Sequence, residues 1–292
     1  MRLDRIVTEH LCALEDNNQY DAKRKKRAAR LITGGSVFVD GVAVTNSKVQ
    51  VIPNVQTVVV GDEQVIDPQA HHSFYKFNKP RGYICQRHPT DPNVYDLIPP
   101  ELKLKHGNDL VSWGRLDRDT TGVLIFGTDG GISHLVLRPT TSSDSRVKWK
   151  TYIATLSAPT SELQADAAKK LKDGVVIPGT STSHGDVNDP SPAERISCLP
   201  AHLRVVDEKR VELQIQEGFY HQVKRMMRFV GGEVAELHRC DFGGVELKGL
   251  KEGEFQELTR EEILRLVPVG MMGYSSDFAV EIEKRRKVGR LD

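Results

Sequence analysis

The chain has 292 residues, 38% hydrophobic and 28% charged, with 24 glycines and 14 prolines. That is globular rather than disordered or collagen-like, and at roughly 150 residues per domain it predicts about two domains with cores of their own. Lysine plus arginine total 41 against 40 acids, a net charge of +1, so attraction for a polyanion has to come from local clustering rather than a global field. No apolar run reaches the ~18 residues of a membrane span, and the opening MRLDRIVTEHL has no signal-peptide apolar stretch. The four cysteines (Cys12, Cys85, Cys198, Cys240) are scattered without a C-x-x-C pair, against a zinc or disulfide framework. A cytoplasmic protein is the expectation.

In chain order, Leu3, Ile6, Val7, His10, Leu11 and Leu14 fall at helical spacing. Ala22–Thr33 reads as a second helix, stopped by Gly34-Gly35. Short strands follow at Val37–Val39 and Val42–Thr45 around an Asp40-Gly41 turn, then at Val55–Val60. Residues 1–60 thus form a small module, and Gly61–Ser73, with Pro68 and the pair His71-His72, reads as a linker.

The pattern then mixes strands and helices from 74 to 266. Strands are expected at Phe74–Phe77, Val123–Phe126, Thr151–Leu156 and Val211–Ile215. Helices are expected at Ile132–Leu137, Ser161–Leu171, His221–Val230 and Arg260–Leu266, the last with a Thr259/Glu262 capping box. Residues 140–146 and 178–192 read as polar insertions, and 267–292 as a basic tail ending in Lys284-Arg285-Arg286-Lys287. No internal repeat is present, and isolated helices among strands suit an α+β core better than regular βαβ winding. His71, His72 and His184 lack partners at ligand spacing, so no metal is expected.

Three clusters carry chemistry. In the second helix, Lys23, Arg24, Lys25, Lys26, Arg27 and Arg30 make six basic residues within nine and no acid. Without acids, pairing along the helix cannot explain the run, and phosphate binding is favoured over a solvated face. The second cluster, Gly114-Arg115-Leu116-Asp117-Arg118-Asp119-Thr120-Thr121-Gly122, leads into the apolar Val123–Phe126. A polar, glycine-flanked loop hung on a buried strand is where sites are built. Asp117 fits a nucleophile or base kept ionised by Arg115; an ordinary turn whose acids cap amides fits equally well on chemistry alone. In the third, EGFYHQVKRMMR (217–228), Val223, Met226, Met227 and Val230 form an apolar stripe that leaves Lys224, Arg225 and Arg228 on another face.

GRLDRDTTG resembles the G-R-L-D-x-x-T-x-G catalytic motif of the pseudouridine synthases. FNKPRGYIC (Phe77–Cys85) resembles their N-K-P-x-G segment, Lys150-Thr151-Tyr152 their K-T-Y strand, and EGFYHQVKRM their basic helix motif. Residues 2–60 resemble an S4 RNA-binding domain, in the order of the RsuA branch of that superfamily, and the likeness runs over about 1–266. It implies an S4-like module followed by a catalytic domain with a mixed, largely antiparallel sheet.

By position the resemblance makes Asp117 the nucleophile and Tyr152 the aromatic platform that assists removal of the C5 proton. It makes Arg115 the group that fills the space of the flipped base, Lys224 the basic partner of the aspartate, and His221 and Arg225 lesser RNA contacts. Tyr-His-Gln at 220–222 resembles the small-subunit (16S) rRNA enzymes more than the large-subunit ones. The implied partner is ribosomal RNA, acted on by a monomer without cofactor, metal or membrane. A large-subunit rRNA synthase and a non-catalytic assembly factor are the rivals. The chain departs from the family in a longer Glu15–Asp21 connection, in the Lys/Arg run, in the two insertions and in Phe219, where an arginine is common.

Overall fold

A computed structural model describes residues 2–14, 22–49, 51, 56–61, 64–66, 73–128, 130–137, 148–179 and 195–266. The insertion at 140–146, the core of the one at 178–192 with His184, the linker pair His71-His72 and the basic tail lie outside them.

The N-terminal part has its own core. Helices α1 (Leu3–Leu14) and α2 (Ala22–Thr33) pack Leu3, Ile6, Val7, Leu11, Ala28 and Ile32 onto a four-stranded sheet. Its order is β2 (Val42–Ala43), β1 (Val37–Val39), β3 (Val58–Val60), β4 (Gln64–Ile66). Asp40 and Gly41 have φ of 50° and 80°, and Val39 pairs with Val42, as a two-residue hairpin with both central φ positive requires. Strand β4 corrects the expected linker: Gln64–Ile66 pairs with Val58–Val60 and Ile66 joins the core. Its three residues, set in a polar segment with Pro68, are too few to show a strand's alternation in the sequence.

The second core surrounds a mixed nine-stranded sheet. Its main path is β11 (His202–Val205), β12 (Arg210–Ile215), β8 (Lys150–Leu156), β13 (Val234–Phe242), β7 (Thr120–Gly127), β5 (Phe74–Lys79) and β15 (Phe255–Glu257). Strand β6 (Val111–Trp113) adds to β7 and β14 (Val245–Glu246) to β13. Only β13 and β7 run parallel; the other pairs in this sheet are antiparallel. Within β7 (TTGVLIFG), Val123–Phe126 is a continuous apolar run because both faces are covered. Val123 and Ile125 join one core with Trp113, Ile132 and Phe242; Leu124 and Phe126 join the other with Phe77, Tyr152 and Met226.

Two helical expectations meet different outcomes. The capping box holds: the Thr259 amide donates to Glu262 Oε2 and the Glu262 amide to Thr259 Oγ1, at 3.0 and 3.2 Å. Glu262 also takes the buried Lys76 ammonium at 2.8 Å, tying α7 (Arg260–Leu266) to β5. The expected helix Ser161–Leu171 is instead a short 3-10 turn, Thr160–Glu162, and a separate α5, Ala167–Asp173. Leu163 is extended (φ −63°, ψ 150°) between them, and the Gln164 amide is drawn to the Val230 carbonyl instead of its own helix.

Candidate active site

The loop Gly114–Asp119 joins β6 to β7 and is tied down on three sides. Leu116 is buried, and its amide and carbonyl both bond the Cys85 sulfur at 3.3 Å. The Gly82 amide donates to the Arg118 carbonyl. Lys79, 0% exposed, runs beneath the loop and its Nζ donates to the carbonyls of Pro80, Arg118 and Thr120 at 3.1, 3.2 and 2.9 Å. Burial lowers the Lys79 pKa, and the carbonyls are what it receives for leaving water.

Asp117 emerges from this loop into a cavity of about 430 Å³. Arg115, Lys150, Tyr152, His221 and Arg239 share its lining. Tyr152, 7% exposed, faces Arg239 across the β8–β13 pair, and Arg239 Nη1 donates to its hydroxyl over a long 3.4 Å. A bulge at Cys240 follows Arg239, the kind of irregularity that re-aims a neighbouring side chain. Arg239 is 3% exposed, anchored by Nε to the Val123 carbonyl at 2.8 Å, with Nη2 buried and unbonded. Lys150 donates to the carbonyls of Gln216 and Glu217, and burial lowers its pKa to about 8, the Arg239 charge adding to the shift.

Helix α6 (Gln222–Phe229) closes another wall. His221, just before it, has a left-handed backbone (φ 49°, ψ 29°), and its ring stacks on Tyr220 with centroids 3.8 Å apart. Its Nε2 stands 3.6 Å from Asp117 Oδ1. The motif's other cations turn elsewhere. Lys224 places Nζ 2.6 Å from Asp119 Oδ2, and Arg225 donates to the Tyr220 carbonyl at 2.9 Å.

Several expectations change here. His221 stands in direct contact with Asp117, while Lys224 is engaged by Asp119 and acts on Asp117 through space. Arg115 does not dominate the carboxyl: burial raises the Asp117 pKa, His221 and Lys224 oppose it, Asp119 reinforces it, and Arg115 opposes it least. Asp119 is the depressed carboxyl, because the Lys224 hydrogen bond and charge outweigh its burial. In α2, Lys23, Lys25, Lys26, Arg27 and Arg30 are exposed, but Arg24 is 8% exposed and belongs to the interior. Among the described residues no group of His, Cys, Asp and Glu could hold a metal, and no helix is long and apolar enough to cross a membrane.

Sequence reasoning gave no role to Arg239, Lys150 or Lys79. The two lysines lie inside the quoted motifs, so a signal existed. Arg239 sits in a strand that was not anticipated, although Gly243-Gly244 marked the hairpin behind it.

The sequence profile of the RNA pseudouridylate synthase family matches residues 73–229. The chain is 34% identical over 269 residues to the ribosomal small subunit pseudouridine synthase A of Escherichia coli strain K12, covering 91% of this chain and 100% of that protein. The protein of the same name from Haemophilus influenzae is 30% identical over 269 residues, with the same coverage. A solved crystal structure of a pseudouridylate synthase, 29% identical, superposes with a TM-score of 0.55 over 91% of this chain and 100% of that one.

Proposed function

Because the chain belongs to the RNA pseudouridylate synthase family, we propose that it isomerises one uridine of small-subunit ribosomal RNA to pseudouridine, with Asp117 as the nucleophile. The observation that carries the reading is the Asp117 carboxyl at the wall of a 430 Å³ cavity that also holds an aromatic ring, Tyr152. A base inside a helix cannot reach such a pocket, so the target nucleotide is flipped out and its ring taken up against Tyr152. Arg115, exposed at the mouth, fits the role of occupying the vacated stack.

The isomerisation breaks the N1–C1′ bond and forms a C5–C1′ bond in the same nucleotide. The Asp117 carboxylate attacks C1′ of the sugar or C6 of the base, and is released when the new carbon–carbon bond is complete. The hydrogen on C5 is then lost as a proton, its electron pair restores the ring double bond, and N1 gains a proton. Atoms and electrons balance without an oxidant, a metal or water. We assign Tyr152 the part of assisting loss of the C5 proton.

We assign residues 2–60 to RNA binding as an S4-like module, extended by β4, with the exposed cations of α2 along phosphates. The small subunit is preferred because the relatives carry that substrate in their names and Tyr-His-Gln stands at 220–222. The test is tritium release from 16S rRNA labelled at uridine C5. Wild type should release tritium and Asp117→Ala should not, while both bind the RNA equally. Release by the variant, or none by wild type on either 16S or 23S rRNA, overturns the assignment.

A further inference from the structure

His221 stands out by its backbone conformation. With φ at 49° it occupies the left-handed region, uncommon for any residue but glycine, although histidine enters it more readily than most. Among the described residues only Asp40 and Lys248 share that condition, and both sit in turns remote from the cavity. The strain is held by its surroundings: the His221 carbonyl accepts the Arg225 amide at 3.0 Å, the Gln222 amide bonds the Phe219 carbonyl, and Tyr220 stacks flat on the ring, 18° from parallel. A strained residue kept in place by packing and lining a reaction cavity points to a use for its side chain.

We propose that His221 is a positioning residue for Asp117, holding and charging the reactive carboxylate rather than gripping RNA phosphate. This rests on the functional reading above and adds to it a residue that acts through the nucleophile. At 3.6 Å the contact lies outside hydrogen-bonding range but inside that of a charge pair. The groups around the carboxyl are few. Arg115 and Asp119 share its loop, Lys224 comes from α6, and Lys79 approaches from β5. Lys224 is drawn off by Asp119 at 2.6 Å, and Lys79 is bound to three carbonyls. The His221 imidazole stands at the Asp117 carboxyl itself, Nε2 to Oδ1. Burial raises the Asp117 pKa, and among the opposing charges His221 is foremost.

The test uses the full chain with His221→Asn, which tolerates the left-handed backbone, and His221→Lys, which supplies a permanent charge. In His221→Asn the acid limb of kcat/KM for pseudouridine formation should move to higher pH by about one unit. That is about a tenfold loss on the acid side with little loss above it. His221→Lys should bring the limb back to the wild-type position or below. Carbon NMR of the Asp117 carboxyl, without RNA, should show the same displacement. An unmoved limb and an unmoved carboxyl titration overturn the proposal. So does a loss of activity matched by a loss of RNA affinity, which would make His221 a phosphate contact. Should wild type form no pseudouridine, the functional reading falls, while the carboxyl titration still decides the coupling.

Discussion

Gly122 ties the Asp117 loop to the strand behind it, and replacing it by alanine separates two kinds of cost. Its φ is 107°, a conformation unfavourable to any β-carbon, at about 1–2 kcal/mol. A Cβ built there falls 2.2 Å from the Arg239 carbonyl oxygen and 2.8 Å from the Arg239 nitrogen. These are backbone atoms, so no side-chain rotation relieves the clash; β13 must move off β7 at a further cost of about 1–3 kcal/mol. Gly82 provides the control, since its φ is 95° but nothing lies within 4 Å of its Cβ. Gly82→Ala should therefore lose about 1–2 kcal/mol and Gly122→Ala about 2–5 kcal/mol, out of a total of about 5–15 kcal/mol. Urea unfolding followed by tryptophan fluorescence measures both, because Trp113 on β6 and Trp149 beside β8 are the chain's two tryptophans and both belong to the large sheet's part of the chain. Gly122→Ala should also lose activity, since Gly122 is registered on Arg239, whose guanidinium holds the Tyr152 hydroxyl. Equal losses in the two variants would refute the close approach as the reason for glycine at 122.

Two further predictions concern charge. Asp117→Asn should be inactive yet more stable than wild type at pH 7. The folded-state pKa of Asp117 is raised above its ordinary 3.8, so the native state holds its proton more tightly than the unfolded chain. The stability this gives is present below 3.8 and is lost as pH rises through the folded value; the amide escapes that loss, so the gap between the two proteins should close on acidification. Denaturant midpoints from pH 3.5 to 7 check it, and a wild type as stable as the variant throughout would contradict it. In α2, Lys25→Gln with Lys26→Gln should lower the slope of log K against log salt by about 1–2, with folding unchanged. Arg24→Gln, at a buried position, should instead cost stability, as thermal unfolding would show.

The legible parts of this chain were those whose local physics agrees with their place in the fold. The run Val123–Phe126 is apolar because β7 is covered on both faces, and α1, α2, α6 and α7 carry stripes or caps that any environment would keep. Strand β13 was not legible, though it is central. Its sequence VAELHRCDF puts Glu236, His238, Arg239 and Asp241 inside a strand, with a bulge that breaks the alternation. Of these only Arg239 lines the cavity; Glu236 is exposed, His238 bonds the Thr121 hydroxyl and Asp241 accepts the Gly244 amide of the hairpin, so the signal was broken from both faces. The split of the expected 161–171 helix is a tertiary effect, since the carbonyl at Val230 that captures Gln164 is distant in sequence. Motif spacing supplied Asp117, Tyr152 and Arg115, which line one cavity, but side-chain partners were beyond it. Asp119 and His221 settle which cation meets which carboxyl, and that depends on how the helix and the loop meet in space.

The cavity, and the loop that Lys79 underpins, are built from groups that folding disfavours. Lys79 and Lys150 have lowered pKa values and Asp117 a raised one, and burial is the first cause for all three. Arg239 adds a buried guanidinium with an unbonded nitrogen. Each cation is compensated by carbonyl oxygens rather than by carboxylates: three for Lys79, two for Lys150 and one for Arg239. Carbonyl dipoles solvate a cation without cancelling its charge. Paired carboxylates would have cancelled it, and would also have raised the Asp117 pKa further through like-charge repulsion. A pocket that must leave Asp117 able to ionise, and receive a base whose departure from the sugar places negative charge on its ring, therefore gains from cations held by dipoles. The cost is stability, and the apolar Val123–Phe126 run of the doubly covered β7 is where the fold recovers it by burial.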